Sequence, residues 1–289
     1  MKILYLDCFS GLSGDMTIGA LIDAGGDFSH LEKELKKLQI DDEYELKVSK
    51  VVKNGITSTK FDVVLGNEQV HTHAHENEEH THDHDHKHEH AHGHTNDHDH
   101  THMHEHAHSH THDHDHTHTH DHRAYREIIQ LIGQAGYSEK VETMALNMFK
   151  KIGEAEGKIH GVPLADVHFH EVGAVDSIID IVGVAILIEQ LGVDEIRSAP
   201  VPTGSGHIHI DHGVFPVPAP ATLEILRGVP LAKSELKSEL TTPTGAAIAA
   251  VLAAEYGTFP AMKVTSIGYG AGTKNFPNHP NVLRVMIGE

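Results

Sequence analysis

Two short segments place histidine and acid at spacings suited to metal chemistry. The sharper is Val167-His168-Phe169-His170-Glu171-Val172-Gly173, where His168 and His170 share a face if the chain is extended. Glu171 points away unless the chain turns at Gly173. Asp176 and Asp180 follow, four apart on one face of the next expected helix, a spacing at which like charges oppose helix formation. Asp176 can cap that helix. Asp180 cannot, because Ile178, Ile179, Ile181 and Val182 surround it, and a carboxylate there needs a hydrogen bond, a cation or a metal. The expectation is a metal or ligand site that includes His168, His170 and Glu171. The alternative is a set of structural histidines bonded to backbone carbonyls. The second segment runs from Pro202 to Gly213, with His207 and His209 again two apart and Asp211 and His212 beside them. Gly204 and Gly206 would let a ligand approach the backbone closely; a tight turn with surface histidines is the plainer reading.

Three further stretches offer cradles for an anion. Ser10-Gly11-Leu12-Ser13-Gly14-Asp15 follows a strand and opens a helix, a geometry that presents free N–H groups to phosphate. It lacks the Gly-Lys-Ser/Thr of a Walker loop and is not G-x-G-x-x-G. Thr241-Thr242-Pro243-Thr244-Gly245 opens a helix in the same way, and Gly268 to Lys274 adds glycines and a cation. Ser10, Gly11, Ser13, Gly14, Asp15, Thr242, Thr244 and Lys274 are therefore the candidate contacts for a phosphate-bearing small ligand. Asp7 and Asp15 flank the first loop and would hold a metal ion or order the turn. Cys8 is a soft donor, although a lone buried thiol is the more frequent case.

One segment dominates the composition. From His71 to His122, 24 of 52 residues are histidine, mostly as His-x-His with Asp, Thr, Glu or Ala between. Alternate residues of an extended chain face the same way, so two or three such imidazoles can chelate one divalent ion, with nickel, copper and zinc preferred to manganese or magnesium. The segment is too polar to fold alone and reads as a disordered metal-binding tether. The whole chain carries −20 and this window −11 with histidine neutral, so the remaining residues carry −9. A body this acidic is a poor partner for nucleic acid or anionic membrane. The single cysteine allows no internal disulfide, which fits a reducing cytosol. The start does not read as a signal peptide, and the most apolar run, Ile178 to Ile188, is interrupted by Asp180 and too short to span a bilayer.

The elements that must position these residues form a mixture. Ile3 to Asp7 reads as a strand, Asp15 to Ala24 as a helix with Ser13 as N-cap, and Leu31 to Leu38 as a short helix. Tyr44 to Val52 and Lys60 to Leu65 are strands joined around Asn54-Gly55. Helices are expected at Tyr125–Gln134, Lys140–Ala155, Val175–Leu191 (the buried one), Ala221–Leu226 and Thr244–Tyr256. Val167 to Val172 reads as short and extended. Strands are expected at Ile196–Val201, Met262–Ile267 and Val282–Ile287. The fold class is α+β, a mixed sheet packed with helices, in which residues 1–66 and 123–289 form one discontinuous domain and 67–122 the histidine-rich insertion.

Taken together, Asp7-Cys8-Phe9-Ser10-Gly11-Leu12-Ser13-Gly14-Asp15-Met16, the histidine insertion, His168-Phe169-His170-Glu171-Val172-Gly173 with Asp176, Gly206-His207-Ile208-His209 and Thr242-Pro243-Thr244-Gly245 resemble the LarC family of nickel-insertion proteins. The resemblance runs from the first strand to about Val285. It implies a cytoplasmic nickel chelatase, a cyclometallase of the lyase class. The substrate would be pyridinium-3,5-bisthiocarboxylic acid mononucleotide, and the product the nickel-pincer nucleotide of lactate racemase. It also implies CTP hydrolysis with manganese or magnesium, at a site in a further C-terminal portion. On that reading nickel reaches His168, His170 and Glu171, with His207, His209 and Asp7 as further metal contacts. Glu171, Asp176 or His170 would take the proton from the ring carbon. Lactate racemase apoprotein would be an indirect partner, and a homo-oligomer is left open. The rival readings are a nickel store or metallochaperone without chemistry, and a metal-dependent hydrolase.

Overall fold

The computed structural model describes residues 1–66, 123–169, 174–210 and 212–289. One compact unit comprises Met1–Glu68 and Thr119–Glu289; the histidine-rich segment, expected to be a disordered insertion, lies outside the described residues. The unit is built on a seven-stranded sheet of β1 (Ile3–Asp7), β2 (Tyr44–Lys53), β3 (Ile56–Leu65), β4 (Glu195–Ser198), β9 (Glu255–Tyr256), β10 (Val264–Ala271) and β11 (Val282–Gly288). Their order across the sheet is β2-β3-β10-β11-β1-β4-β9. β1 pairs antiparallel with β11 and parallel with β4, so the sheet is mixed, as expected of an α+β fold. Two small ribbons complete the strands: β5 (Val201–Pro202) with β8 (Leu231–Ala232), and the hairpin of β6 (His207–Ile210) and β7 (Gly213–Pro216).

The helices are α1 (Gly14–Asp23), α2 (Phe28–Leu35), α3 (Tyr125–Gln134), α4 (Glu139–His160), α5 (Val175–Gln190), α6 (Pro220–Ile225) and α7 (Pro243–Leu252). α1 packs on β3 and β10 and also on α5, while α5 packs on α4. α5 is apolar along nearly its whole length, from Val175 to Ile188, and forms the centre of the core with Phe149, Leu21 and Leu31. Removing that much apolar surface from water is the main reason for this helix's position.

The hairpin of β2 and β3 turns on Asn54 and Gly55, both with positive φ (48° and 84°), the signature of a two-residue loop that matches strand twist. The expected helix Thr244–Tyr256 is shorter than foreseen. After Leu252 the Ala254 N–H bonds to the Ile196 carbonyl, and Glu255–Tyr256 pairs with β4 as a sheet edge. The glycines of the third expected cradle have a different task. A Cβ on Gly270 would lie 1.8 Å from the Met16 carbonyl oxygen, so Gly268 and Gly270 let α1 rest directly on the sheet. Replacing Gly270 with alanine is expected to lower unfolding free energy by about 2 kcal/mol or more, the scale of overpacking a tight interface. Gly133→Ala, in open space on α3, is expected to raise it by about 0.5–1 kcal/mol. Urea unfolding of the two variants checks the contrast.

Candidate functional site

Three helices begin at one cavity of about 420 Å³. α1 contributes Ser13, Gly14 and Asp15; α5 contributes Asp176, Ser177 and Asp180; the start of α7 contributes Thr242, Pro243 and Thr244. β3 closes a wall with Lys60 to Val63, and Glu239 and Thr273 complete the rim. Two of the three loops read as anion cradles therefore meet in space, and the third reaches the rim through Thr273 alone. Their helix N-termini direct backbone N–H groups and the positive ends of their dipoles to this region.

The capping pattern differs among them. Thr242 caps α7 by accepting the Gly245 N–H at 3.2 Å. Ser13 occupies the N-cap position of α1 in an extended conformation, yet its side chain makes no capping bond and donates to Asp15 Oδ1 instead. α5 has no side-chain cap from Ala174, but Asp176 accepts the Ser177 N–H at 2.8 Å, the capping role foreseen for it.

A charge network crosses the floor. Lys60 is buried on β3 and donates to Asp15 Oδ2 at 2.8 Å, to Asp62 Oδ1 at 2.7 Å and to the Phe61 carbonyl at 3.0 Å. Burial alone would lower its pKa, but Asp15 and Asp62 outweigh that and raise it, so the ammonium is held charged. Asp180 presses against Gly14, where an added Cβ would meet its carboxylate oxygen at 2.3 Å. Its Oδ1 is enclosed and has no hydrogen-bond partner among the described residues. Burial pushes the Asp180 carboxyl well above the usual carboxylate range, and the charges of Asp15 and Asp176 push it further. Lys60 and the Asp15 backbone N–H offset this only in part.

The other expected site residues lie elsewhere. Gly11 shapes the first loop with φ +95°. Ser10 bonds His279 Nε2 at 2.8 Å and the Pro280 carbonyl at 2.5 Å, away from the cavity lining. Lys274 Nζ reaches Ser238 Oγ at 3.0 Å, so its neighbour Thr273, not Lys274, borders the cavity. Asp7 accepts Arg284 Nε at 2.8 Å across the β1–β11 register, and that ion pair accounts for it. Cys8 is buried and its thiol is pushed up to about 11 by burial, the inert behaviour of a core thiol.

The histidine segments divide. Phe169 is buried between Tyr125 and Phe149, each ring 6.3 Å away, and the alternation of side chains turns His168 outward beside Ala124. His170 and Glu171 lie outside the described residues. His207 and His209 sit on one exposed face of β6, in a hairpin that the sequence had suggested only as a tight turn. Among the described residues two imidazoles approach each other, His160 at the end of α4 and His212, with ring centroids 5.1 Å apart; Glu156 lies 3.3 Å from His160. Among the described residues no group of three or more His, Cys, Asp or Glu is arranged to hold a metal ion. Nor, among them, is any helix long and apolar enough to cross a membrane.

The charged cavity residues missed in the sequence are Lys60, Asp62 and Glu239. Lys60 and Asp62 stand two apart on a strand, on the side opposite Phe61, and that alternation was the available signal.

Fold and site together define an α+β body with an acid-lined cavity fed by helix N-termini. Comparison with known proteins gives its family: the nickel insertion protein model matches residues 4–289, and the chain belongs to that family. It is 48% identical over 289 residues to the pyridinium-3,5-bisthiocarboxylic acid mononucleotide nickel insertion protein of Geobacillus kaustophilus, covering all of this chain and 60% of that one. It is 44% identical to the protein of the same name from Clostridium kluyveri, covering 62% of it. It is 41% identical to a putative nickel insertion protein of Dictyoglomus thermophilum, covering 61% of it. The chain thus spans about three fifths of the length of these curated relatives. No solved structure matches it.

Asp180 makes a pH prediction. A carboxyl whose folded pKa lies above its unfolded value keeps a proton that the unfolded chain has lost, so its contribution to stability falls as pH rises from 3.8 toward the folded pKa. Asp180→Asn is expected to raise the thermal midpoint at about pH 8, with the gain shrinking to nothing near pH 4. An equal gain at both pH values would show that the carboxyl is not held protonated.

Proposed function

We propose that this chain inserts nickel into pyridinium-3,5-bisthiocarboxylic acid mononucleotide, the activity for which two of its relatives are named. The observation that carries this reading is the meeting of Ser13–Asp15 and Thr242–Thr244, two separate helix-opening motifs, at one cavity beside Lys60. Helix N-termini and a buried ammonium are what a nucleotide phosphate requires. A cavity of about 420 Å³ lies within the range that small-ligand sites occupy.

In this reading residues 1–66 and 123–289 form the insertion domain, and 67–122 collect nickel. Many equivalent, exchanging imidazole sites suit delivery rather than catalysis. His168, His170 and Glu171, with His207 and His209, pass nickel on, and the soft sulfurs of the two thiocarboxylates accept it from imidazole. A metal held by sulfurs at ring positions 3 and 5 sits against the carbon between them. That carbon's proton must leave as a nickel–carbon bond forms, taken by Glu171, Asp176 or His170. The enzyme is a nickel chelatase of the lyase class, dependent on CTP with manganese or magnesium. The CTP site belongs to a further C-terminal portion, and the product serves lactate racemase in the cytoplasm.

A second reading, a nickel store without chemistry, is favoured by one observation: His168, His207 and His209 are all exposed. Insertion assays with CTP, Mn²⁺ and the C-terminal portion of a relative separate the two. The chain without residues 71–122 should slow at scarce nickel and recover at abundant nickel. Thr244→Val, which keeps shape and loses one hydroxyl at the cavity, should raise KM for the mononucleotide about fivefold, the effect of roughly 1 kcal/mol. Wild-type rates in the His168→Ala/His170→Ala double variant would remove those histidines from the route. No insertion by the unaltered chain would leave the store.

A further inference from the structure

His160 and His212 are brought together by two different elements. His160 closes α4, one turn after Glu156 and just before Gly161, whose φ of +69° ends the helix. His212 stands at the turn of the β6–β7 hairpin, the ribbon whose exposed face carries His207 and His209. The two rings are 5.1 Å apart between centroids and tilted by 57°. Imidazoles that share one metal ion, each with a nitrogen about 2.1 Å from it, have ring centres about 5 Å apart. Two more features belong to the same point. Glu156 is buried, and its Oε2 lies 3.3 Å from His160 Nε2, so the carboxylate favours the ring proton on that nitrogen and the lone pair on Nδ1. The last turn of this 22-residue helix also presents carbonyl oxygens and the negative end of its dipole, which attract a cation.

The histidine-rich segment joins the body close by. Its last residue, His122, is followed by Arg123 and Ala124. Ala124 pairs with His168, and the Tyr125 N–H bonds to the Val167 carbonyl. The Tyr125 ring lies against Gly153 of α4. Gly153 precedes His160 by seven residues of the same helix, about 10 Å along its axis.

We infer that His160 and His212 bind a divalent ion of the nickel class as a two-imidazole station, with Glu156 orienting His160, where the histidine-rich segment hands its metal to the folded body. Two protein ligands leave the other positions of the ion to water or an incoming ligand, as a point of transfer requires. They also agree with the absence of a group of three among the described residues. Imidazole favours nickel, copper and zinc over magnesium. The identity of the ion rests on the nickel-insertion reading; the binding does not. Binding is measured without mononucleotide or CTP. Binding with no insertion sinks only that reading, and insertion without binding sinks only the station.

Thermal unfolding of the full chain in NiCl₂ at neutral pH tests it. Histidines whose metal binding needs no fold take nickel in the folded and unfolded chain alike, so only a site made by the fold raises the midpoint. With free nickel about a hundredfold over the half-effect concentration, the wild-type midpoint should rise by about 5 °C. MgCl₂ at the same concentration should leave it unchanged. His160→Ala and His212→Ala should each lose most of the rise, and His30→Ala, exposed on α2, should keep it. Glu156→Gln should keep the rise but need about tenfold more nickel to reach it. A carboxylate that only holds the helix in place would not shift that requirement, and an unchanged one removes Glu156 from the site. No rise in the wild type, an equal rise with MgCl₂, or a full rise in either histidine variant overturns the inference. Should His160→Ala not fold, His212→Ala at its exposed turn decides: loss of the rise supports the station, and a full rise overturns it.

Discussion

Everything in the site follows from the burial of α5. That helix is too apolar to lie anywhere but the core, and its interior position carries Asp180 in with it. The carboxyl then needs room, and the room is supplied by the missing side chain of Gly14, the first residue of α1. Contact between these two residues fixes the start of α1 against the first turns of α5. Asp15, next in the chain, reaches Lys60 on β3 and ties the same point to the sheet. A hydrophobic driving force thus ends in a polar junction of three elements. The cavity exists because the three helix starts arrive there without filling it.

The sequence showed the parts of this junction more clearly than their meeting. Periodicity placed α3 at Tyr125–Gln134 and α5 within a residue of its observed end, because long apolar repeats leave little choice. The oddity of Asp180 among isoleucines was visible for the same reason: a charge in an apolar run contradicts its surroundings. Convergence of Ser13–Asp15 with Thr242–Thr244 was not visible, since it depends on tertiary packing of helices more than 200 residues apart in the chain. Lys60 was hidden within an ordinary strand. Gly268 and Gly270 misled, because a glycine needed for helix-on-sheet contact looks like a glycine needed for a ligand. The hairpin at His207–Pro216 escaped notice behind its prolines, and α7 ended early because edge pairing with β4 competed successfully with helix propensity.

The electrostatics of the cavity separate it from a plain phosphate site. Helix N-termini and Lys60 attract an anion, while the neighbouring carboxyls repel one. Protonation of Asp180 relieves part of that repulsion, since burial and the adjacent acids favour its neutral form.

Donor types are sorted by place in the fold. The described histidines of the two candidate segments, His168, His207, His209 and His212, lie on the surface, and the carboxylates lie in the cavity. Imidazole ranks nickel far above magnesium or manganese, whereas carboxylate oxygens suit harder ions. Discrimination between ligands in such a body comes from where each donor type sits, and not from a tight cage built of mixed donors.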